Sequence, residues 1–397
     1  MLLNLITHRL IIILCLISTV ARFALDSFLP SLPGIGDFFD LSAEQTQLVI
    51  TLYLTGFGCS QLLYGPLSDR FGRKRVLLSG FTIFILGNLI AASATSFFCL
   101  LLGRLIAGFG CGAAGVINRA IARDKYRGAA FAKAWSYTTT SLVVTLIIAP
   151  VIGGYIQGYY GWRANIMGAS IYVAFILLIV MSLLEETNVK LNKQALKFHY
   201  MLSNYFDIIC HKQFIGGVLC YTLAFAGLIV YFQVSPFLFM ENLNLSAVEY
   251  GWLALVIASC YFLGGILVKK FVAALGVQRM LEIGINLLIL SGVLALLCGF
   301  VTMQIWTILL PTIIYVLGAR IIIPNAISCC LEGYGQCAGF ASGMLGAIQM
   351  LGTAIVSVAV AQFTTETQLP LALCFISMGV LSRISFRSLF SRKLVPN

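Results

Sequence analysis

Polar residues are sparse along this chain, and they fall between long apolar stretches. Twelve runs have the length, about 20 mostly apolar residues, that crosses a bilayer as a helix. In the first half they cover roughly 10–32, 46–66, 76–95, 97–119, 134–158 and 164–184. In the second they cover roughly 213–236, 247–268, 280–300, 303–325, 338–361 and 369–387. Apolar and polar positions do not alternate within the runs, which excludes membrane-spanning β-strands of about ten residues. Backbone groups left unpaired in lipid cost several kcal/mol each, so helices are the remaining solution. The pattern predicts an all-α membrane protein of twelve transmembrane helices.

Composition agrees. Of the 397 residues 60% are hydrophobic and 10% charged, against about 25% charged in soluble domains. An ordinary cytosolic enzyme, a disordered chain and a nucleic-acid-binding domain are thereby excluded. The net charge of +11 suits a DNA partner only until its placement is read. The even-numbered loops hold Arg70, Arg73, Lys74 and Arg75, then Arg123, Lys125, Arg127 and Lys133, then Lys190, Lys193, Lys197 and Lys212, then Lys269, Lys270 and Arg279. Arg387, Arg392 and Lys393 follow in the tail. The odd-numbered loops hold Asp37, Asp40, Glu44, Glu241, Glu249 and Glu366, with Arg163 as their one clear base. Lysine and arginine collect on the cytoplasmic side, so both termini are expected there. Attraction to anionic lipid heads is a second use of the charge.

The first run is too long for a signal-peptide core and continues through Asp26 into Pro30 and Pro33 without a small-residue cleavage site. The 12 cysteines are scattered, with no CxxC pair, and read as small packing residues. No metal and no cofactor are expected.

The longest polar stretch, Glu185 to Lys212, divides the chain into a six-helix bundle at 1–184, a linker at 185–212 and a second bundle at 213–397. Gly65-Pro-Leu-Ser-Asp69-Arg70-Phe71 has a faint echo about 200 residues on, in Gly265-Ile-Leu-Val-Lys269-Lys270-Phe271, where Lys269 replaces Asp69. Two such halves suit a transporter with its site at midplane between them. No span or loop assembles a His/Asp/Glu metal set or a nucleophile with its base, so an enzyme is not expected.

The segment Gly65-Pro-Leu-Ser-Asp69-Arg70-Phe-Gly72-Arg73-Lys74 resembles the G-x-L-x-D-[RK]-x-G-R-[RK] signature of the major facilitator superfamily. Four further segments resemble its bicyclomycin-resistance (Bcr/CflA) branch. They are Asp26-Ser-Phe-Leu-Pro30-Ser-Leu-Pro33; Gly115-Val-Ile-Asn118-Arg119-Ala120 with Arg123-Asp124; Ser235-Pro236-Phe237; and Pro324-Asn325-Ala326 with Gly343 to Met350. The resemblance implies the twelve-helix fold, proton-coupled efflux and a bacterial inner membrane. Span five departs from the family's G-x-x-x-G-P-x-x-G-G antiporter motif. It keeps Pro150, Gly153 and Gly154 but has Thr145 and Ala149 for the first two glycines. All are small, so close packing survives, and the proline still permits a bend.

Charged groups within spans cost roughly 2.5–3.5 kcal/mol each and default to functional candidates. These are Arg22, Asp26 and Arg104, with Arg320 less clearly assigned; Arg119 and Glu282 lie near cytoplasmic ends, within snorkelling reach. If span one ends near Pro30, Asp26 lies about 6 Å and Arg22 about 12 Å below the outer face, with Arg104 about 10 Å below it. Arg22 and Asp26 are also i, i+4 neighbours. The resemblance implies that spans one and four both line the central cavity. Burial favours the neutral form of a carboxyl group and a nearby arginine the charged form. Asp26 is accordingly expected to carry the proton, the alternative being that it only neutralises Arg22. Arg104 is either a hydrogen-bonding hub or a control on Asp26. Arg320 has three open roles: pairing with Glu282, pairing with Glu332, or touching substrate.

The resemblance also implies that Gly65, Asp69, Arg70, Gly72, Arg73 and Lys74 form a gate. Asp69 would accept from a helix N-terminus, and the basic residues would clamp the opposite half or lipid heads. Candidate cavity residues are Tyr53, Asn118, Tyr137, Tyr231, Gln233, Asn325 and Gln349; Phe232 and Asn286 are further in-span candidates. The expected protein is a proton-coupled antiporter, monomeric, exchanging protons for a drug or other small amphipathic molecule amid membrane lipids, with no nucleic-acid partner. An exporter of one endogenous metabolite such as a siderophore, an importer, and a receptor or scaffold that keeps the fold without transport are the alternatives.

Overall fold

A computed structural model describes residues 2–126, 128–188, 191–331, 338–363 and 367–390. Of the charges read from sequence, Arg127, Lys190, Glu332, Glu366, Arg392 and Lys393 lie outside the described residues. Among those described, 11 helical stretches are long and apolar enough to cross a membrane. One of them, Lys133–Leu183, is 51 residues long and is interrupted at Gly161, whose φ of 78° and ψ of 178° suit glycine alone. It is two spans, 133–160 and 162–183, which brings the total to twelve. Span 1 is Arg9–Phe39, span 2 Ala43–Phe71, span 3 Arg73–Ala92 and span 4 Phe97–Lys125; the divided stretch gives spans 5 and 6. Span 7 is Lys212–Asn242, span 8 Ala247–Val272, span 9 Ala274–Cys298, span 10 Ile305–Leu331, span 11 Phe340–Val360 and span 12 Leu369–Ser388. A linker helix, Phe198–Cys210, precedes span 7.

Span 1 does not end near Pro30. Its α-helix stops at Asp26, a short 3-10 turn follows over Leu29–Ser31, and a second helix runs over Leu32–Phe39. Pro30 and Pro33 sit in the first turns of these later pieces, where a missing N–H costs nothing. Thirteen residues of chain therefore separate Asp26 from the end of the span at Phe39.

The internal repeat is also sharper than its sequence echo. Asp40 and Asn244 share φ 55°. Ser42 and Ser246 share φ −67° and ψ 159°, and each closes a capping box, with Gln45 and Glu249 respectively. Gly72 and Gly276 both have positive φ, 99° and 75°, between successive spans. Each pair is 204 residues apart, which displaces the register drawn from Gly65 and Gly265. Position 273, an alanine, and not Lys269, is the counterpart of Asp69.

Small residues let the spans approach closely. Backbone of span 2 packs on Gly108 of span 4, and backbone of span 4 packs on Gly87 of span 3, with no room for a Cβ at either glycine. The first six spans meet the last six along spans 2 and 11 and along spans 5 and 8. At one end of the bundle, called here the Gly72 end, lie Gly72 and the linker. At the far end Arg163 donates to the carbonyls of Ala92 and Ala94 at 3.1 and 2.9 Å and lies over the rings of Phe38 and Trp162. The lone base of the odd loops thus closes the end of span 3.

Candidate functional site

The break in span 1 builds the first part of the site. Pro30 has no N–H for the carbonyl of Asp26, and the Ser31 N–H turns instead to Phe28 O at 2.9 Å. Asp26 thus sits on the last helical residue, wholly buried. Arg22 Nε lies 2.5 Å from Asp26 Oδ2, and the Arg22 side chain keeps 19% exposure while that of Asp26 keeps 1%. The contact is ionic, since neither Asp26 oxygen has an aligned hydrogen bond. The Arg22 guanidinium also lies 5.7 Å from the ring centre of Phe232 in span 7. The ion pair therefore touches both sets of six spans. Leaving either charge buried alone would cost about 3–5 kcal/mol.

Arg104 is buried with 1% exposure, its guanidinium 4.2 Å from the Phe28 ring and 4.5 Å from that of Tyr53. No ion pair joins it to Asp26 among the described residues. Two ring faces hold the charge. Arg320 has no ion pair with Glu282 among the described residues; it lies 4.7 Å from the Tyr261 ring of span 8, and Glu332 lies outside them.

Six of the seven cavity candidates, Tyr53, Asn118, Tyr231, Gln233, Asn325 and Gln349, are buried. Tyr137 is 50% exposed and faces a shallow groove with Ile12, Cys15 and Ser141. Asn325 donates to Ile321 O on its own helix at 2.8 Å, and Asn286 accepts from Arg383 of span 12. Gln233 does the most. Its amide donates to Gln47 Oε1 at 3.0 Å, and its Oε1 accepts from Ser357 at 2.6 Å. Ser357 in turn meets Thr51 at 2.6 Å. Spans 2, 7 and 11 are thereby stitched together in the far half by buried neutral groups. Beside them Ser235 and Tyr250 share a bond of 2.9 Å. Gln47, Thr51 and Ser357 escaped the sequence reading because short polar residues within an apolar run carry no signal of their partner.

The Gly72 end differs from expectation. Asp69 takes Arg73, four residues on, at 2.5 Å, and not a helix N-terminus. Arg73 also donates to Ser68 Oγ at 2.7 Å and to Asp124 Oδ2 of span 4 at 3.1 Å. The N-terminus of span 3 is capped by Glu186, which accepts from Arg73 N and Lys74 N at 2.8 and 3.1 Å. Asn192 N and the Asn188 amide bond the Asp69 carbonyl at 3.0 and 3.2 Å. The Arg73 clamp therefore closes on its own six spans and the linker, drawn by the acids there, while Arg70 stays exposed beside the Phe71 ring. Gly65 is buried near Val116. In the linker helix, Tyr205 donates to Leu62 O of span 2 at 2.7 Å and packs on Phe340 of span 11. Burial first, and the Asp69 carboxylate second, push the Tyr205 phenol above its ordinary pKa, so it remains a neutral donor.

In span 5, Gly153 lies against the carbonyl of Ser27 and Gly154 against that of Ala247 at the start of span 8, with no space for a Cβ at either. Pro150 O faces Gly251 of span 8. Span 5 is thus wedged between the break after Asp26 and the other six spans.

Comparison with known proteins agrees with this architecture. The profile of the Major Facilitator Superfamily matches residues 14–357. A bicyclomycin resistance protein homolog of Haemophilus influenzae is 26% identical over 388 residues, 98% of each chain. Multidrug resistance protein D of Escherichia coli is 26% identical over 390 residues, 97% of this chain and 96% of its own. Among solved structures, the xylose transporter of E. coli superposes with a TM-score of 0.77 over 98% of each chain at 14% identity, a likeness of fold.

Proposed function

We propose that this chain, which belongs to the Major Facilitator Superfamily, is a proton-coupled antiporter exporting small drug-like amphipathic molecules across a bacterial inner membrane. It is a membrane transporter and not an enzyme. The observation that carries the proton reading is Asp26, wholly buried at a helix break and paired at 2.5 Å with a partly exposed Arg22. Such a carboxyl group exchanges a proton only when the bundle moves, which links protonation to conformation. The halves 1–184 and 213–397 rock about Asp26, with the Gly72 end and both termini in the cytoplasm. Opening the cytoplasmic side admits substrate beside Arg22 and Phe232; opening the far side releases it and lets a proton return to Asp26. Each charge moved down 100 mV supplies about 2.3 kcal/mol, enough to concentrate a substrate some tens-fold.

The drug reading is supported by relatives named for resistance to bicyclomycin and to multiple drugs. The test uses everted membrane vesicles with an acidified lumen, given bicyclomycin or chloramphenicol. Each probe that is a substrate should accumulate inside and dissipate the pH gradient, and vesicles without the protein should show neither. Accumulation that persists after the gradient is collapsed would contradict proton coupling.

A further inference from the structure

Asn165 in span 6 is 2% exposed and was not singled out by sequence. Its side-chain amide donates to Ser27 O at 2.7 Å, to Ser31 Oγ at 2.9 Å and to Gly153 O at 3.2 Å. The first two acceptors lie in the break that follows Asp26. The third lies on the span 5 turn that carries Pro150. The need for this donor follows from the backbone. A helix continuing past Asp26 would satisfy the Ser27 carbonyl with the N–H of Ser31, but that N–H goes to Phe28 O. A buried carbonyl without a partner costs about 1–3 kcal/mol, and Asn165 supplies the missing donor. Gly153 brings span 5 against the same carbonyl, and its neighbour Gly154 meets the backbone of Ala247 in span 8. Three elements therefore converge one residue from the carboxylate, and one side chain bonds two of them.

We propose that Asn165 is a positioning residue that holds the break after Asp26 and ties it to the span 5 turn, so that the carboxyl group and the span 5–span 8 seal move together. This rests on the reading of Asp26 as the proton carrier. The charged group that contacts Asp26 is Arg22 on its own helix; the titratable groups within electrostatic reach are Tyr53 of span 2 and Tyr250 of span 8, and Arg104 of span 4 lies over the Tyr53 ring. Asn165 touches none of them. Its influence on Asp26 runs through the backbone of residue 27, which sets where the carboxyl group lies relative to Arg22.

The test is an infrared titration of the full-length protein in lipid, following the carbonyl stretch of a protonated carboxylic acid. The component lost in Asp26→Asn belongs to Asp26. In Asn165→Ala its titration midpoint should move by about one pH unit or more, a tenfold change in proton affinity, and Asn165→Ser, which keeps one donor, should recover part of the shift. Gly153→Ala, which forces a Cβ against Ser27 O, should move the same midpoint, and the double variant should shift less than the sum. Where Asn165→Ala yields no folded protein, Ser31→Ala removes one acceptor and is read the same way. A purely structural role would lower the unfolding temperature of Asn165→Ala and leave the Asp26 midpoint in place, which overturns the proposal. Absence of any titrating component in the Asp26→Asn difference would instead overturn the proton-carrier reading itself.

Discussion

Ser357→Ala removes one link between the two sets of six spans, the 2.6 Å contact with Thr51, and with it the 2.6 Å bond to Gln233 Oε1 that joins spans 7 and 11 within the second set. The contact with Thr51 must break when the far side opens, because Thr51 belongs to span 2 and Ser357 to span 11. Hydrogen bonds between membrane helices average about 0.6 kcal/mol net. The one that crosses between the sets favours the closed state by about 0.6 kcal/mol, a factor of about three in population. In the closed state the Gln233 oxygen is also left without a donor, and parting from Gln47 of span 2 opens it to water, which raises the loss toward about 3 kcal/mol, a factor of about a hundred. The assay is a spin-label distance between Tyr160→Cys and Trp306→Cys, exposed positions at the far ends of spans 5 and 10, in a chain whose native cysteines are replaced. Ser357→Ala should enlarge the long-distance, outer-open fraction by about threefold or more relative to the closed one. Thr51→Val should act in the same direction, and the pair together should fall short of additivity. A change under about twofold, or a shift toward the closed distance, would refute the reading of this network as an outer latch.

Other substitutions follow from the same geometry. Glu186→Ala strips the cap from span 3 and should lower the unfolding temperature, at about 1–2 kcal/mol for a charged cap; Glu186→Gln, which retains an acceptor, should lose less, and equal losses would contradict the capping role. Gly154→Ala places a Cβ against the Ala247 carbonyl and should open the far end in the same spin-label assay, whereas an unchanged distance distribution would show that spans 5 and 8 yield without parting. Tyr137→Phe should leave transport of bicyclomycin and chloramphenicol within about twofold of the parent in everted vesicles, because the ring faces outward; a large loss would return Tyr137 to the cavity.

The spans were legible because each is an uninterrupted apolar run, and Gly161 and Gly276 divide two long helices where the sequence places polar or small residues. Span 1 was misjudged because Pro30 and Pro33 read as a stop, whereas each occupies a first helical turn that tolerates it. The repeat was present in Asp40-Leu-Ser42-Ala43 and Asn244-Leu-Ser246-Ala247, whose shared turn and cap are local chemistry. The Gly65 to Gly265 echo, built on apolar residues, pointed four positions away. The linker contacts were not legible. Glu186 lies 113 residues from Arg73, and nothing near either residue in sequence names the other. Asn165 was hidden for the same reason, since two of its three acceptors, the Ser27 carbonyl and the Ser31 hydroxyl, lie more than a hundred residues earlier in the break after Asp26.

The central claim is that Asp26 carries the proton that substrate movement displaces. Proteoliposomes loaded with a pH-sensitive dye, buffered equally on both sides and then given substrate on one side, report that proton directly. The parent protein should move the lumenal pH as substrate crosses. Asp26→Asn should let substrate bind and exchange with no change in lumenal pH. A lumenal pH change of parental size in Asp26→Asn would place the proton on another group.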